Sequence, residues 1–238
     1  MIGQHGPVPL NEIRFVFGRA GFGAGLPWGL AEDFAESCIR LARAGLDPGP
    51  AAAAALYALD EGACGRGVEL EETGQAATLR ADGGGILSAL YGGPAAGDWL
   101  ACNRGGPKAL RLAAVDCPLL ILGALAGPDH PPSRWAISWW ALSDGVDGAA
   151  VIGPEGGLHL GPEDAARLSA AGPADMAIAP ADREPDRAAL ALPEVFESGV
   201  WIDAGSWAAI MAFFGRSLVP STEVDRLAGA GAGLVDTD

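Results

Sequence analysis

Apolar residues recur at helical spacing along the opening of the chain. Ile13, Val16 and Phe17 follow Pro9-Leu10-Asn11-Glu12, which predicts a first helix with Asn11 as its cap. Gly18, Gly21, Gly23 and Gly25 then interrupt the pattern. Pro27 suits the first position of a second helix. In it Leu30, Phe34, Cys38 and Leu41 line one face, and Glu32, Asp33, Glu36, Arg40 and Arg43 turn mostly to water. An alanine run through Leu56 and Leu59 makes a third helix, stopped at Gly62. Positions 9–62 are therefore expected to form a helical N-terminal segment.

From Val68 the period changes. Residues 68–70 and 76–79 read as short strands, and 83–106 is glycine-rich with little periodicity. Residues 110–115 and 119–125 read as buried strands broken at Cys117-Pro118. The run 134–142 alternates, with Trp135, Ile137 and Trp139 on one face and Ser138, Trp140 and Leu142 on the other. A turn at 144–148 and a returning strand at 149–152 predict an antiparallel pairing. Further strands are expected at 158–160, 176–179, 188–192 and 200–202. Pro162-Glu163-Asp164 opens a helix through Ala171. Asp203 caps a last helix whose Trp207, Ile210, Met211 and Phe214 form one stripe. No internal repeat or interdomain linker is visible. The expected fold is α+β: an N-terminal three-helix segment packed on a mixed, largely antiparallel sheet with additional helices. One domain over 1–238 is expected, with 68–238 as a sheet-containing body ending in a helix and a glycine-rich tail.

Composition narrows the function classes. At 238 residues, half of them hydrophobic, the chain can bury one substantial core. A formal net charge of -15 argues against nucleic acid and against anionic membrane surfaces, and is compatible with a positively charged or neutral small-molecule ligand or with no charged partner at all. No window is long and apolar enough for a membrane helix. The start, Met1 to Pro7, lacks the basic and apolar stretches of an export signal. Four dispersed cysteines show no metal-type spacing. A cytoplasmic location with reduced thiols follows as the expectation.

Catalytic candidates are few. The three histidines, His5, His130 and His159, lie in a chain end, a proline-rich loop and a short strand. No glycine-flanked nucleophile elbow is present. The glycine cluster at 18–25 follows a helix rather than a strand, so it fails the test for a dinucleotide loop. Arg104, Lys108 and Arg111 form the one concentration of positive charge; supported by Gly105 and Gly106, they suit a carboxylate or phosphate. Trp135, Trp139 and Trp140 read as core rather than as a stacking platform.

The closing stretch is the least interchangeable. Thr222 and Asp225 form a capping pair, and Glu223 sits in the first turn of a short helix that Gly229 ends. Gly229, Gly231 and Gly233 then alternate with alanines, baring backbone to close approach. Asp236 and Asp238 follow as oxygen donors for a hard cation. The phrases Val8-Pro9-Leu10-Asn11-Glu12-Ile13 and Gly23-Ala24-Gly25-Leu26-Pro27-Trp28-Gly29-Leu30-Ala31-Glu32, with Val219-Pro220-Ser221-Thr222-Glu223, Arg226 and Gly229 to Leu234, resemble an uncharacterised bacterial family catalogued only as a domain of unknown function. The resemblance carries no activity. It implies that both chain ends meet, with Trp28 beside the glycine tail.

Two functional readings follow. In the first, the chain is a cytoplasmic bacterial enzyme acting on a small polar metabolite. Glu223, Arg226 and Glu32 supply carboxylate and arginine chemistry, Trp28, Arg104, Lys108 and Gly231 bind substrate, and Asp236 and Asp238 hold a divalent cation. In the second, it is a non-catalytic homo-oligomeric or binding protein whose terminal segments form the interface.

Overall fold

The computed structural model describes residues 7–74, 76–103, 109–127, 134–142, 147–170, 172–181, 190 and 195–218. Three helices open the chain: α1 (Leu10–Gly23), α2 (Trp28–Arg43) and α3 (Gly49–Asp60). The hairpin of β1 (Val68–Thr73) and β2 (Ala76–Ala81) comes next. Helix α4 (Ala89–Cys102) leads to β3 (Ala109–Val115), and α5 (Pro118–Leu125) precedes β4 (Trp135–Ala141) and β5 (Asp147–Ile152). The chain continues through β6 (Leu158–Leu160), α6 (Pro162–Ala170), β7 (Ala174–Pro180), α7 (Val195–Ser198) and α8 (Ala204–Arg216). The strands form one mixed sheet in the order β1-β2-β3-β7-β4-β5-β6. Among the strands of the described residues only β2 and β3 pair in parallel, and the other strand pairings are antiparallel. This is an α+β fold, with the three expected helices ahead of the sheet.

Two elements differ from the sequence reading, for one physical reason. A short apolar run does not distinguish a buried helix from a buried strand. Residues 118–125 form a helix rather than a strand, with Pro118 in its first turn and nearly every side chain buried. A Cβ on Gly123 would sit 2.6 Å from the Ser37 carbonyl oxygen, so α5 packs backbone-close onto α2. The stretch expected to lack regular structure holds α4, despite Gly92, Gly93, Pro94 and Gly97 inside it. Those residues disfavour a helix intrinsically, and tertiary packing overrides them. A Cβ on Gly93 would lie 2.8 Å from the Ala124 methyl, which only glycine permits at this α4–α5 crossing. Helix α4 is also the crossover that a parallel β2–β3 pair requires.

Smaller differences concern caps and stripes. Pro9, not Asn11, precedes α1, and Asn11 Oδ1 accepts from the Glu12 N–H instead. Helix α1 runs on through the glycines to Gly23. On α8 the buried residues are Trp207, Ile210 and Phe213; Met211 is exposed, and Phe214 packs edge-on to Phe15 at 5.7 Å. Asp203 caps α8 as expected, accepting from the Ser206 N–H. The expected strand at 200–202 reduces to a single bridge, Val8 with Val200. That bridge holds α8 beside α1, where a Cβ on Gly23 would lie 2.0 Å from the Phe213 oxygen. The expected strand at 188–192 lies largely outside the described residues.

One core unites helices and sheet. Phe17, Phe34, Leu41 and Leu56 bury between the helices, and Leu110, Ile137, Trp139 and Ile178 cover the inner sheet face. Trp139 lies flat against Gly148, where a Cβ would approach it to 2.2 Å. Trp135 and Trp139 are core residues, as expected; Trp140 faces out under the Arg111 guanidinium at 5.6 Å. The opposite face of the sheet carries no helix among the described residues: β4 alternates buried and exposed along its length. No described helix is long and apolar enough to cross a membrane.

Candidate functional site

The turn between α1 and α2 shapes a pocket on the helical side. Gly21 packs against Leu26, Phe34 and Ala31, with a Cβ 3.1–3.3 Å from each. Gly25 takes a φ of +93°, and the Leu26 N–H returns to the Gly21 oxygen at 3.0 Å. This tight reversal brings the start of α2 back over the last turns of α1. Phe22 and Trp28 then meet edge to face, with centroids 5.8 Å apart.

Between the two helices lies a cavity of about 240 Å³ lined by Arg14, Phe15, Gly18, Arg19, Trp28, Ala31, Glu32 and Ala35. Those positions are neighbours at helical spacing on each helix. Gly18, Ala31 and Ala35 leave the volume open, because large side chains there would fill it. Phe15 and Trp28 form an aromatic wall, each roughly half exposed. The Arg19 guanidinium sits 5.3 Å from the Trp28 ring and 5.9 Å from the Phe15 ring. Among the described residues no carboxylate pairs with Arg19. Arg14 reaches Glu36 at 2.8 Å. Trp28 Nε1 donates to Glu32 Oε1 at 3.0 Å, which orients the carboxylate one helical turn away. The combination suits a small anion with an apolar body: guanidinium for the charge, ring faces for the carbon skeleton.

A second cavity, about 320 Å³, lies between α2, α4 and α5. Asp33, Glu36, Asp98 and Arg40 line it. Burial raises the Asp33 pKa, and the facing Asp98 charge raises it further. Arg40 opposes the rise in part, and its guanidinium donates to the Ala124 carbonyl at the cavity wall. Deeper in the fold, Asp116 follows β3, close behind Ala114, the one described non-glycine residue with positive φ (53°). Asp116 Oδ1 accepts the N–H groups of Ala89 and Cys117, both at 2.7 Å, at the starts of α4 and α5. Burial lifts its pKa to about 6 against the two backbone bonds and the Cys64 thiol, which lower it. Asp116 is buried beside Ser88 and Cys64 and holds two helix starts together.

The structure brings Trp28 and Glu32 together in the α1–α2 pocket. Arg104, Lys108, Glu223, Arg226, Gly231, Asp236 and Asp238 lie outside the described residues, as do His5 and His130. Arg111, grouped with Arg104 and Lys108 by sequence, pairs instead with Asp175 at 2.6 Å on the outer sheet face. His159 is half-buried on β6. All four cysteines are free. Among the described residues no group of three or more His, Cys, Asp or Glu side chains is placed to hold a metal ion. Sequence reasoning missed Arg14, Phe15, Gly18 and Arg19. The available signal was the pairing of Phe15 with Arg19 and of Trp28 with Glu32 at four-residue spacing on consecutive helices.

Residues 8–82 match the model of a family described as "Protein of unknown function (DUF3726)". The match contains the two N-terminal phrases that carry the resemblance, and every residue lining the α1–α2 pocket. No curated protein matches the chain. Solved structures share its fold. Malate dehydrogenase from Entamoeba histolytica superposes with a TM-score of 0.59 at 8% identity, covering 90% of this chain and 99% of that one. A dehydrogenase from Sinorhizobium meliloti gives 0.57 at 13%, covering 87% and 99%. Sulfolactate dehydrogenase from Methanocaldococcus jannaschii gives 0.52 at 11%, covering 89% and 97%. At such identities the likeness is one of fold.

Proposed function

We propose that the chain is an enzyme acting on a small organic carboxylate held in the α1–α2 pocket. The observation that carries this reading is Arg19. In a chain with 30 acidic residues it stacks on two aromatic rings and pairs with no carboxylate among the described residues. A guanidinium so placed is available for a carboxylate from outside the protein. Glu32, fixed through Oε1 by the Trp28 indole, keeps Oε2 for proton transfer on the atom beside the bound carboxylate. A volume of about 240 Å³ restricts the ligand to a few carbons. The fold neighbours named for malate and sulfolactate support that substrate class. A cytoplasmic location fits a metabolite of this size. Metal dependence through Asp236 and Asp238 is not needed by this pocket.

The test is isothermal titration of the wild type with malate, lactate and sulfolactate, repeated on Arg19→Gln. Saturable binding of at least one acid is expected. The substitution should weaken it about 10–100-fold, the worth of a charge-assisted hydrogen bond. Binding unchanged in Arg19→Gln, or no saturable binding of any of the three, overturns the reading.

A further inference from the structure

We infer that the α1–α2 pocket selects an α-amino acid over the hydroxy acid or plain acid of the same carbon skeleton. The inference rests on the carboxylate placed at Arg19 above and assigns the other end of the ligand. Two side chains of opposite charge, Arg19 on α1 and Glu32 on α2, line the cavity without pairing with each other. Neither meets a counter-ion among the described residues. One indole fixes both. Its ring lies 5.3 Å from the Arg19 guanidinium, and its Nε1 donates to Glu32 Oε1 at 3.0 Å. The two charges are thereby held at different places around one small volume.

The neighbouring charges leave this arrangement intact. Arg14, also in the lining, is taken by Glu36 Oε2 at 2.8 Å, and Asp33 lines the other cavity. With Arg14 offset by Glu36, the formal charges of Arg19 and Glu32 sum to zero. An anion alone leaves the Glu32 charge uncompensated beside it, in a chain of formal net charge -15. A zwitterion answers both charges and keeps the site neutral. The donor inventory points the same way. The ligand carboxylate accepts the Arg19 fork, and an ammonium brings three donors to Glu32 Oε2, the oxygen that the indole leaves open. A hydroxyl at the same carbon offers one neutral donor, in a bond about half as strong. A hydrogen there offers none. Phe15, Ala31 and Ala35 supply apolar lining for a short side chain.

L-alanine, L-lactate and propionate share three carbons and differ in the group that Glu32 meets. Isothermal titration of the full chain with each tests the assignment. The wild type should bind alanine about 10-fold more tightly than lactate, the difference between a charged and a neutral hydrogen bond. Glu32→Gln keeps an oxygen for the Trp28 indole and removes the charge; it should cut the preference for alanine to about twofold or less. Glu32→Ala serves as the second variant should circular dichroism show Glu32→Gln unfolded. Glu61→Gln, which removes the same charge outside the cavity, should leave the preference unchanged, and Arg19→Gln should weaken all three ligands. Lactate or propionate bound as tightly as alanine, with Arg19 still required, overturns this inference alone. So does a preference for alanine that survives in the folded Glu32 variant or disappears in Glu61→Gln. No saturable binding of any acid overturns this inference together with the carboxylate reading beneath it.

Discussion

Asp116 gives the clearest handle on stability. Its carboxylate is almost fully buried, with Oδ1 accepting from the Ala89 and Cys117 N–H groups at the starts of α4 and α5. Burial outweighs those bonds and raises its pKa from 3.8 to about 6. The folded state thus binds the Asp116 proton more tightly than the unfolded chain does. The associated stability is fully present below pH 3.8 and is lost as pH rises through about 6. At about 1.4 kcal/mol per unit, the shift is worth roughly 3 kcal/mol. Asp116→Asn keeps the acceptor oxygen for both backbone donors and removes the titration. Urea unfolding followed by tryptophan fluorescence, at about pH 4 and about pH 7, isolates the effect from every other titrating group common to both proteins. Relative to wild type, the variant should gain roughly 2 kcal/mol between the two conditions, since part of the effect is already lost at pH 4. A difference that does not change with pH, or a wild type that gains on the variant as pH rises, refutes the reasoning.

Two further outcomes are expected. Gly23→Ala forces a Cβ to 2.0 Å from the Phe213 oxygen and should lower the melting temperature by several degrees, whereas Gly29→Ala, with nothing within 4 Å, should leave it unchanged or raise it; equal effects in differential scanning calorimetry would contradict the packing of α8 on α1. Truncation after Ala228 separates the two sequence-based readings of the C-terminal segment: if that segment serves the pocket, carboxylate binding by calorimetry changes while the sedimenting mass per chain stays the same, and loss of oligomeric mass would place a subunit interface there instead.

The helical opening was legible because amphipathic periodicity and proline starts agree across 9–62. So was the alternation of β4, whose buried side is Trp135, Ile137, Trp139 and Ala141. What stayed hidden was every helix whose surroundings override its own preferences. Gly93 in α4 and Gly123 in α5 are there for neighbours distant in sequence, at Ala124 and Ser37, and nothing local announces such a partner. The pocket was half legible for a related reason. Trp28 and Glu32 stand on a helix whose start is written in sequence, and their hydrogen bond follows from four-residue spacing. Arg14 and Phe15 stand on the predicted first helix; Arg19 lies where the glycines suggested an interruption, yet α1 continues through it. Arg19 gains meaning only once the turn at Gly25 carries Trp28 back over it.

Alternation along a strand says which side chains leave the core, but not what they meet there. In a chain this rich in alanine, an alanine on the outer sheet face carries little information by itself. The contrast along the same face carries more. At the β1 edge the outward positions are Glu69 and Glu71, and their partner Arg80 on β2 binds both at 3.0 and 3.1 Å. Charge is thus placed on this face where an unpaired edge strand must be kept from indiscriminate pairing. It is missing from the central side chains of β5, β4 and β7 at the Ala136 and Ser138 rungs, where strands are already paired on both sides. Towards the middle of the face charge returns as a matched pair, Arg111 on β3 with Asp175 on β7 at 2.6 Å, and Asp147 stands exposed at the start of β5 beside Trp140.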